Sequence, residues 1–226
     1  MIVRRIGRRR LLACLLAAGA IPAPRTTWSG ETGTVQEIVF APGFLAAVDR
    51  PTVLRYRYEM SGAAMGRPYT SSARLEIREV FSDGRKLAWL DMFEGANRRE
   101  TGPIPTVDQN PLLLAFLQRD AVTMANLTGG AAGYFQQQVR RAFNEPATVE
   151  ITPVTWWGRT IEARTVRMRP FLADPSIGRF PQFRDKEYEF TVSPELPGGL
   201  WRIGVRLPDT AGVVYLEESL TLDAVD

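Results

Sequence analysis

The sequence contains no histidine, and its single cysteine is Cys14. Without these residues, Ser-His-Asp and Cys-His catalysis and the usual zinc ligand sets are excluded. No phosphate-binding or dinucleotide-binding glycine motif occurs either. We therefore expect no catalytic residue of these classes, no cofactor and no bound metal, and we expect the protein not to be an enzyme.

The chain also lacks a strong net charge once its N-terminus is set aside. Five of its 28 basic residues, all arginine, lie within residues 1–20, where there is no acid. The remaining residues carry 23 basic and 25 acidic side chains, a net charge of −2. A nearly neutral chain lacks the basic footprint of a nucleic-acid-binding protein.

The N-terminus has the layout of a signal peptide. Residues 1–10 are basic, residues 11–20 are apolar, and the segment ends in Ala18-Gly19-Ala20, a small-x-small cleavage site. The apolar run is shorter than the roughly 20 residues of a membrane-spanning helix, and we predict no transmembrane segment in the mature chain. Residues 8–12 resemble a twin-arginine signal; the general secretory route and a lipoprotein signal ending at Cys14 are alternatives. We expect a periplasmic protein.

The export signal is followed by a flexible linker and then by one domain. Residues 21–34 are rich in Pro, Thr, Ser and Gly, a composition typical of linkers. Residues 35–226 form the predicted single domain. Its first part, residues 52–60, 71–81 and 85–93, alternates apolar and polar residues, which indicates three antiparallel strands.

The periodicity then changes from that of strands to that of helices. Asp108 or Asn110 is placed to cap a helix over residues 111–127, Gly129-Gly130 ends it, and a second helix covers residues 131–143. Strand patterns return in five segments: residues 147–157, 159–169, 186–193, 200–207 and 213–223. Helices between two groups of strands predict an α+β fold. We expect a strongly curved antiparallel sheet, a half-barrel of about 8–10 strands. The most economical arrangement places the two inserted helices over its open concave side, and the convex side is the alternative.

Aromatic residues supply the candidate binding site, because a curved sheet under helices encloses an apolar interior. Three phenylalanines fall in one long Pro- and Gly-containing connection, residues 170–184, and loops of this length are often functional. They either form a flap over a cavity or pack on the edge of the sheet. The predicted ligand-binding residues are Phe171, Phe180, Phe183, Trp89, Trp157 and Tyr188.

Three motifs, together with the export signal, resemble those of uncharacterised exported proteins of Gram-negative bacteria. They are Asn110-Pro111-Leu112-Leu113-Leu114, Leu127-Thr128-Gly129-Gly130, and residues 186–190 (KEYEF) followed by Pro197-Gly198-Gly199. The predicted architecture is also similar to that of periplasmic lipoprotein carriers. That resemblance implies an acyl chain bound inside the half-barrel.

Three functions remain open. The first is a periplasmic, non-enzymatic module that binds an apolar or amphipathic, lipid-like ligand in the concavity. The second is an envelope protein-protein interaction module with a filled interior and no internal ligand. The third is a carboxylate-dependent hydrolase, which requires two acids in one cleft; Asp91, Glu94 and Asp174 are the candidates that the sequence offers.

Overall fold

One open antiparallel sheet of nine strands dominates the computed structural model, which describes residues 33–209 and 211–226. The strands are β1 (Thr52–Ser61), β2 (Tyr69–Val80), β3 (Lys86–Met92), β4 (Arg99–Thr106), β5 (Val149–Trp156), β6 (Arg159–Met168), β7 (Glu187–Val192), β8 (Leu200–Pro208) and β9 (Val214–Val225). The predicted α+β half-barrel of about 8–10 strands is confirmed. The predicted signal peptide and residues 21–32 of the predicted linker lie outside the described residues.

Three helices accompany the sheet: α1 (Val35–Val39), α2 (Pro111–Thr128) and α3 (Ala132–Phe143). The side chain of Asn110 accepts a hydrogen bond from the Leu112 backbone at 3.1 Å, and Pro111 occupies the first turn of α2. Gly129 ends this helix in the left-handed conformation, with φ of 66°. The two inserted helices therefore lie where the sequence places them.

The strand order explains why α2 and α3 cover the sheet. The order is β4-β3-β2-β1-β9-β8-β7-β6-β5, so the first and last strands pair in the middle while β4 and β5 are the two edges. Because α2 and α3 connect one edge to the other, they must cross a face of the sheet. The ring of Phe143 lies 5.4 Å from that of Phe190 on β7, which identifies the covered face.

The two faces of the sheet differ sharply in character. Leu54, Leu75 and Leu90 are directly opposite one another on β1, β2 and β3, and all are buried on the covered face. On the outer face, charged side chains form exposed pairs such as Arg167–Glu150 at 2.8 Å. Exposed pairs of this kind contribute about 0–1 kcal/mol each, so the covered face holds the sheet to the helices.

Two elements of the structure, β4 and α1, are not predicted by the sequence analysis. Strand β4 contains Gly102, Pro103 and Pro105, residues that disfavour strands except at an edge, which is where β4 lies. Helix α1 spans five residues, too few for a helical period to be visible. Thr34 and Glu37 form a capping box at its start, with Thr34 N donating to Glu37 Oε2 at 2.7 Å. Thr34, predicted to end the flexible linker, thus belongs to a helix cap.

Within residues 33–209 and 211–226, no helix combines the length and the hydropathy needed to cross a bilayer.

Candidate functional site

A cavity of about 720 Å³ lies between the C-terminal half of α2 and one end of the covered face of the sheet. Its volume is within the range of roughly 300–1,000 Å³ that is typical of small-molecule sites. Aromatic, aliphatic and methionine side chains form most of its wall: Tyr58, Met60, Tyr69, Phe93, Met124, Leu127, Phe183, Val205, Leu207, Tyr215 and Leu216. The wall is chemically suited to an apolar guest.

Strand register brings distant residues together in the cavity floor. Tyr188, Val205, Glu218, Met60 and Tyr69 are consecutive cross-strand partners on β7, β8, β9, β1 and β2. Opposed residues in an antiparallel sheet share a face, so this row runs across the concavity beneath α2. Four of the five are apolar or aromatic, and the fifth is an acid.

Two buried ion pairs interrupt the apolar wall. The first joins α2 to the start of β7: Lys186 Nζ lies 2.6 and 2.8 Å from the two carboxylate oxygens of Asp120, and the hydroxyl of Tyr188 donates a hydrogen bond to the same carboxylate. Asp120 and Lys186 are each only 4% exposed, and Tyr188 is fully buried. We call these three residues the Asp120 cluster.

Burial governs the titration of this cluster. Loss of hydration lowers the pKa of Lys186, an effect that the neighbouring Asp120 carboxylate opposes. Burial, reinforced by the same carboxylate, raises the pKa of Tyr188 well above its ordinary value. The Tyr188 hydroxyl therefore stays protonated at neutral pH and serves as a hydrogen-bond donor to Asp120.

The second ion pair joins α2 to β9. Arg119 contacts the carboxylate of Glu218, which is buried. The guanidinium of Arg119 also lies 5.6, 5.4 and 5.3 Å from the ring centres of Tyr58, Phe93 and Phe116, a geometry that attracts a cation to aromatic faces. Arg119 and Asp120 are adjacent on α2. Arg119 pairs with Glu218 of β9, and Asp120 pairs with Lys186, the residue just before β7.

The structure gathers the three loop phenylalanines around one residue of α3. The ring of Phe135 lies 6.0 Å from Phe171, 5.1 Å from Phe180 and 5.7 Å from Phe183. Only Phe183 of the three also lines the cavity. The connection is further held by Tyr134, whose hydroxyl donates to Asp174. The loop is thus packed against α3, and of its three phenylalanines one faces the candidate site, next to Gln182.

The other three predicted binding residues lie in separate places. Tyr188 is in the cavity floor row and binds Asp120 rather than facing the open space. Trp89 lies on the outer face of β3, where the guanidinium of Arg78 is 4.4 Å from its ring. Trp157 is 71% exposed in the turn between β5 and β6 and stacks on Trp156 at 5.2 Å. The structure does not bring either tryptophan to the cavity.

The charged residues of the cavity are absent from the sequence-based site, although the sequence carries traces of them. Glu218 interrupts the apolar alternation of Leu216, Leu220 and Leu222 in β9. Asp120 falls on the buried stripe of α2, and Lys186 is one of two lysines in the chain. An acid at a position where the pattern calls for a buried apolar residue indicates a cationic partner in the interior, because an unpaired buried charge is very costly.

None of the three acids that the sequence offered for catalysis lines the cavity. Asp174 accepts from Tyr134 and from the Ser176 backbone, while Asp91 pairs with Arg98 on the outer face and Glu94 accepts from Ser72 at 2.6 Å. The described residues contain no group of three or more acids, histidines or cysteines placed to hold a metal ion.

Two of the motifs noted in the sequence meet in space. Asn110 Nδ2 donates to the Gly198 carbonyl and to the Tyr56 hydroxyl, both at 3.0 Å, while its Oδ1 caps α2. Gly198 and Gly199 have positive φ, and a side chain on Gly199 would overlap the ring of Phe44. The Asn-Pro and Pro-Gly-Gly motifs together fix the start of α2 on the sheet.

Comparisons with known proteins reveal only distant similarity. No family model and no curated protein matches the chain. Among solved structures, the lipoprotein LppX of Mycobacterium tuberculosis is 9% identical over 80% of this chain and 90% of that one, with a TM-score of 0.32. A LolA superfamily protein from Nitrosomonas europaea is also 9% identical, over 85% and 93% of the two chains, with a TM-score of 0.22. At TM-scores this low, neither similarity defines what this chain binds.

Proposed function

We propose that the protein is a periplasmic, non-enzymatic module that binds an apolar or amphipathic ligand in the cavity beneath α2. The observation that carries the proposal is the 720 Å³ space bounded mainly by aromatic, aliphatic and methionine side chains. Methionines such as Met60 and Met124 adapt to guests of irregular shape because their side chains are flexible and polarisable.

The size of the cavity supports a ligand of lipid-like dimensions. At about 720 Å³ it lies within the range of roughly 300–1,000 Å³ of sites that hold small molecules. An open apolar space of this size is also the opposite of the filled interior that the protein-protein interaction alternative requires.

The polar groups of the wall support binding rather than catalysis. Asp120 is paired with Lys186, and Glu218 with Arg119, so both acids are neutralised by neighbours. A hydrolase of the two-carboxylate type needs one carboxyl group to hold a proton and the other to stay ionised.

A carboxylate-dependent hydrolase is the second candidate function, and the observation that favours it is that two acids, Asp120 and Glu218, line one cavity. Turnover of an alkyl ester or glycoside that is abolished by Glu218→Gln would favour it over the binding module.

Native mass spectrometry of protein prepared gently from a periplasmic extract tests the proposed function. We expect a mature chain that begins at Ile21, carrying an additional mass of a few hundred daltons that is lost on denaturation. Fragmentation of the released ligand in the mass spectrometer identifies its chemical class. A bare mature chain from several preparations, together with no uptake of added alkyl ligands, would contradict the proposal.

A matched pair of substitutions on α2 locates the ligand. Thr123 lines the cavity and Val122 does not, and both are exposed on the same helix. We expect Thr123→Trp to fill the cavity mouth and eliminate the bound mass, and Val122→Trp to retain it. Loss of ligand from both variants, or from neither, would place the ligand elsewhere.

A further inference from the structure

The charges in the cavity wall do not cancel. Its lining includes three cations, Arg99, Arg119 and Lys186, and two acids, Asp120 and Glu218. The two acids are taken up by Arg119 and Lys186 within the buried ion pairs. Arg99 is left over, and no carboxylate of residues 33–209 or 211–226 forms an ion pair with it.

Arg99 is placed at the rim of the cavity and directed towards it. It opens the edge strand β4 opposite Met92, which is buried on the covered face, so the two share that face. Its Nη1 donates to the Arg98 carbonyl at 2.8 Å, which orients the guanidinium. The neighbouring Arg98, in contrast, pairs with Asp91 and Glu100 on the outer face. Arg98 is therefore neutralised by two carboxylates, whereas the adjacent Arg99 is not.

We infer that the ligand is an amphiphile with an anionic head group, whose alkyl chain fills the cavity and whose head group is bound at the rim by Arg99. The inference rests on the proposed function and assigns the chemistry of the ligand's polar end. The buried ion pairs leave no unpaired charge inside, so the interior suits the alkyl chain. A guanidinium at the rim matches a carboxylate or a phosphate, with which arginine forms paired, charge-assisted hydrogen bonds.

Binding of three ligands with the same alkyl chain tests the inference: dodecanoate, dodecyl phosphate and dodecanol. We expect the two anions to bind about tenfold more tightly than dodecanol, as one charge-assisted contact at a partly exposed site provides. The preference should shrink as salt is added. The tighter of the two anions identifies whether a carboxylate or a phosphate is the natural head group.

Neighbouring substitutions provide the control. Arg99→Gln should remove the preference for the anions and leave dodecanol binding unchanged, whereas Arg98→Gln, which removes the same charge one residue away, should alter neither. Equal affinity for dodecanol and the anions, or a preference that survives Arg99→Gln, would overturn the inference while the proposed function stands. If none of the three ligands binds, the proposed function itself fails, and this inference fails with it.

Discussion

At the scale of single residues, the Asp120 cluster shows how a few charges organise an apolar interior. Asp120, Lys186 and Tyr188 lie almost completely out of solvent, and their hydrogen bonds connect α2 to β7 across the concavity. A buried pair of this kind stabilises a fold little compared with apolar residues of the same size, but it tolerates the loss of one member poorly. We infer that the cluster fixes the position of α2 on the sheet.

Removal of one charge from this cluster gives the first prediction. Asp120→Asn leaves the Lys186 ammonium buried without a counter-charge, and we expect a loss of about 3–5 kcal/mol in the free energy of unfolding. Urea denaturation measures it. The control is Glu150→Gln, which breaks an exposed Arg167 pair on the outer face and should cost about 0–1 kcal/mol. Equal losses in the two variants would show that the buried pair is not structurally important.

The predicted site residues lie in different surroundings in the structure. Phe183 was predicted and lines the cavity, whereas Trp157 has the same aromatic character and lies exposed in a turn. Aromatic side chains are common in cores, at interfaces and in sites, so residue type alone does not separate these cases. Glu218 lies within the strand predicted over residues 213–223, and only the folded chain shows that its carboxylate is buried in the cavity wall.

At the scale of elements, the start of α2 combines a helix cap with an anchor. Asn110 uses its oxygen for the cap and its amide group for the Gly198 carbonyl and the Tyr56 hydroxyl. One side chain thus joins α2, the Pro-Gly-Gly turn and β1. This explains why the two motifs, which are far apart in the sequence, belong to one structural unit.

Two substitutions of Asn110 separate these roles. Asn110→Ala removes both the cap and the anchor. We expect the free energy of unfolding to fall by about 2–4 kcal/mol, because the helix loses its cap and the Gly198 carbonyl loses its donor. Asn110→Ser keeps a capping oxygen but lacks the amide donor, so it should recover about 1 kcal/mol. Thermal or urea unfolding compares them. Identical stabilities of the two variants would mean that the cap contributes nothing.

The connection between β6 and β7 gives a prediction about ligand uptake. Phe180 and Phe183 both contact Phe135, and only Phe183 also lines the cavity. If the connection acts as a flap, Phe183→Ser should strongly reduce retention of the ligand, and Phe180→Ser, at a half-buried position outside the cavity lining, should leave the ligand bound. Titration of both variants with an alkyl ligand, after circular dichroism has shown them folded, checks this. Unchanged uptake by Phe183→Ser would contradict the flap hypothesis.

Most elements were predictable because their determinants are local. The bounds of α2 follow from Asn110, Pro111 and Gly129, three residues whose backbone preferences act within one turn. β4 was missed for the opposite reason. Its prolines are tolerated only because the strand lies at the edge of the sheet, and edge position is a property of the whole topology.

At the scale of the whole molecule, burial of tyrosine makes the fold sensitive to alkali. Burial is the leading cause that raises the pKa of Tyr56, Tyr58 and Tyr188, and it raises the pKa of Tyr134 to about 12, with a further contribution from Asp174. These are four of the six tyrosines in the chain. The unfolded chain, in contrast, titrates near the ordinary value of about 10.

The sign of the effect follows from proton binding. Below pH 10 the tyrosines are protonated in both the folded and the unfolded chain, so the buried tyrosines make their full contribution to stability. Above pH 10 the unfolded chain loses its phenolic protons first, so stability falls with rising pH until the folded tyrosines ionise as well. We expect spectrophotometric titration to show four tyrosines that ionise above pH 10 or on unfolding, with alkaline unfolding in the same range. Six tyrosines titrating together near pH 10 in the folded protein would contradict this.

The sequence by itself determined the class of fold, the antiparallel character of the sheet and the position of α2 and α3. These depend on apolar periodicity and on caps and turns, which act over a few residues. Only the tertiary structure decided which face the helices cover and which charges meet in the cavity. Asp120 and Lys186 are 66 residues apart in the sequence, and Arg119 and Glu218 are 99 residues apart. Their meeting depends on the register of all nine strands, which no local pattern encodes.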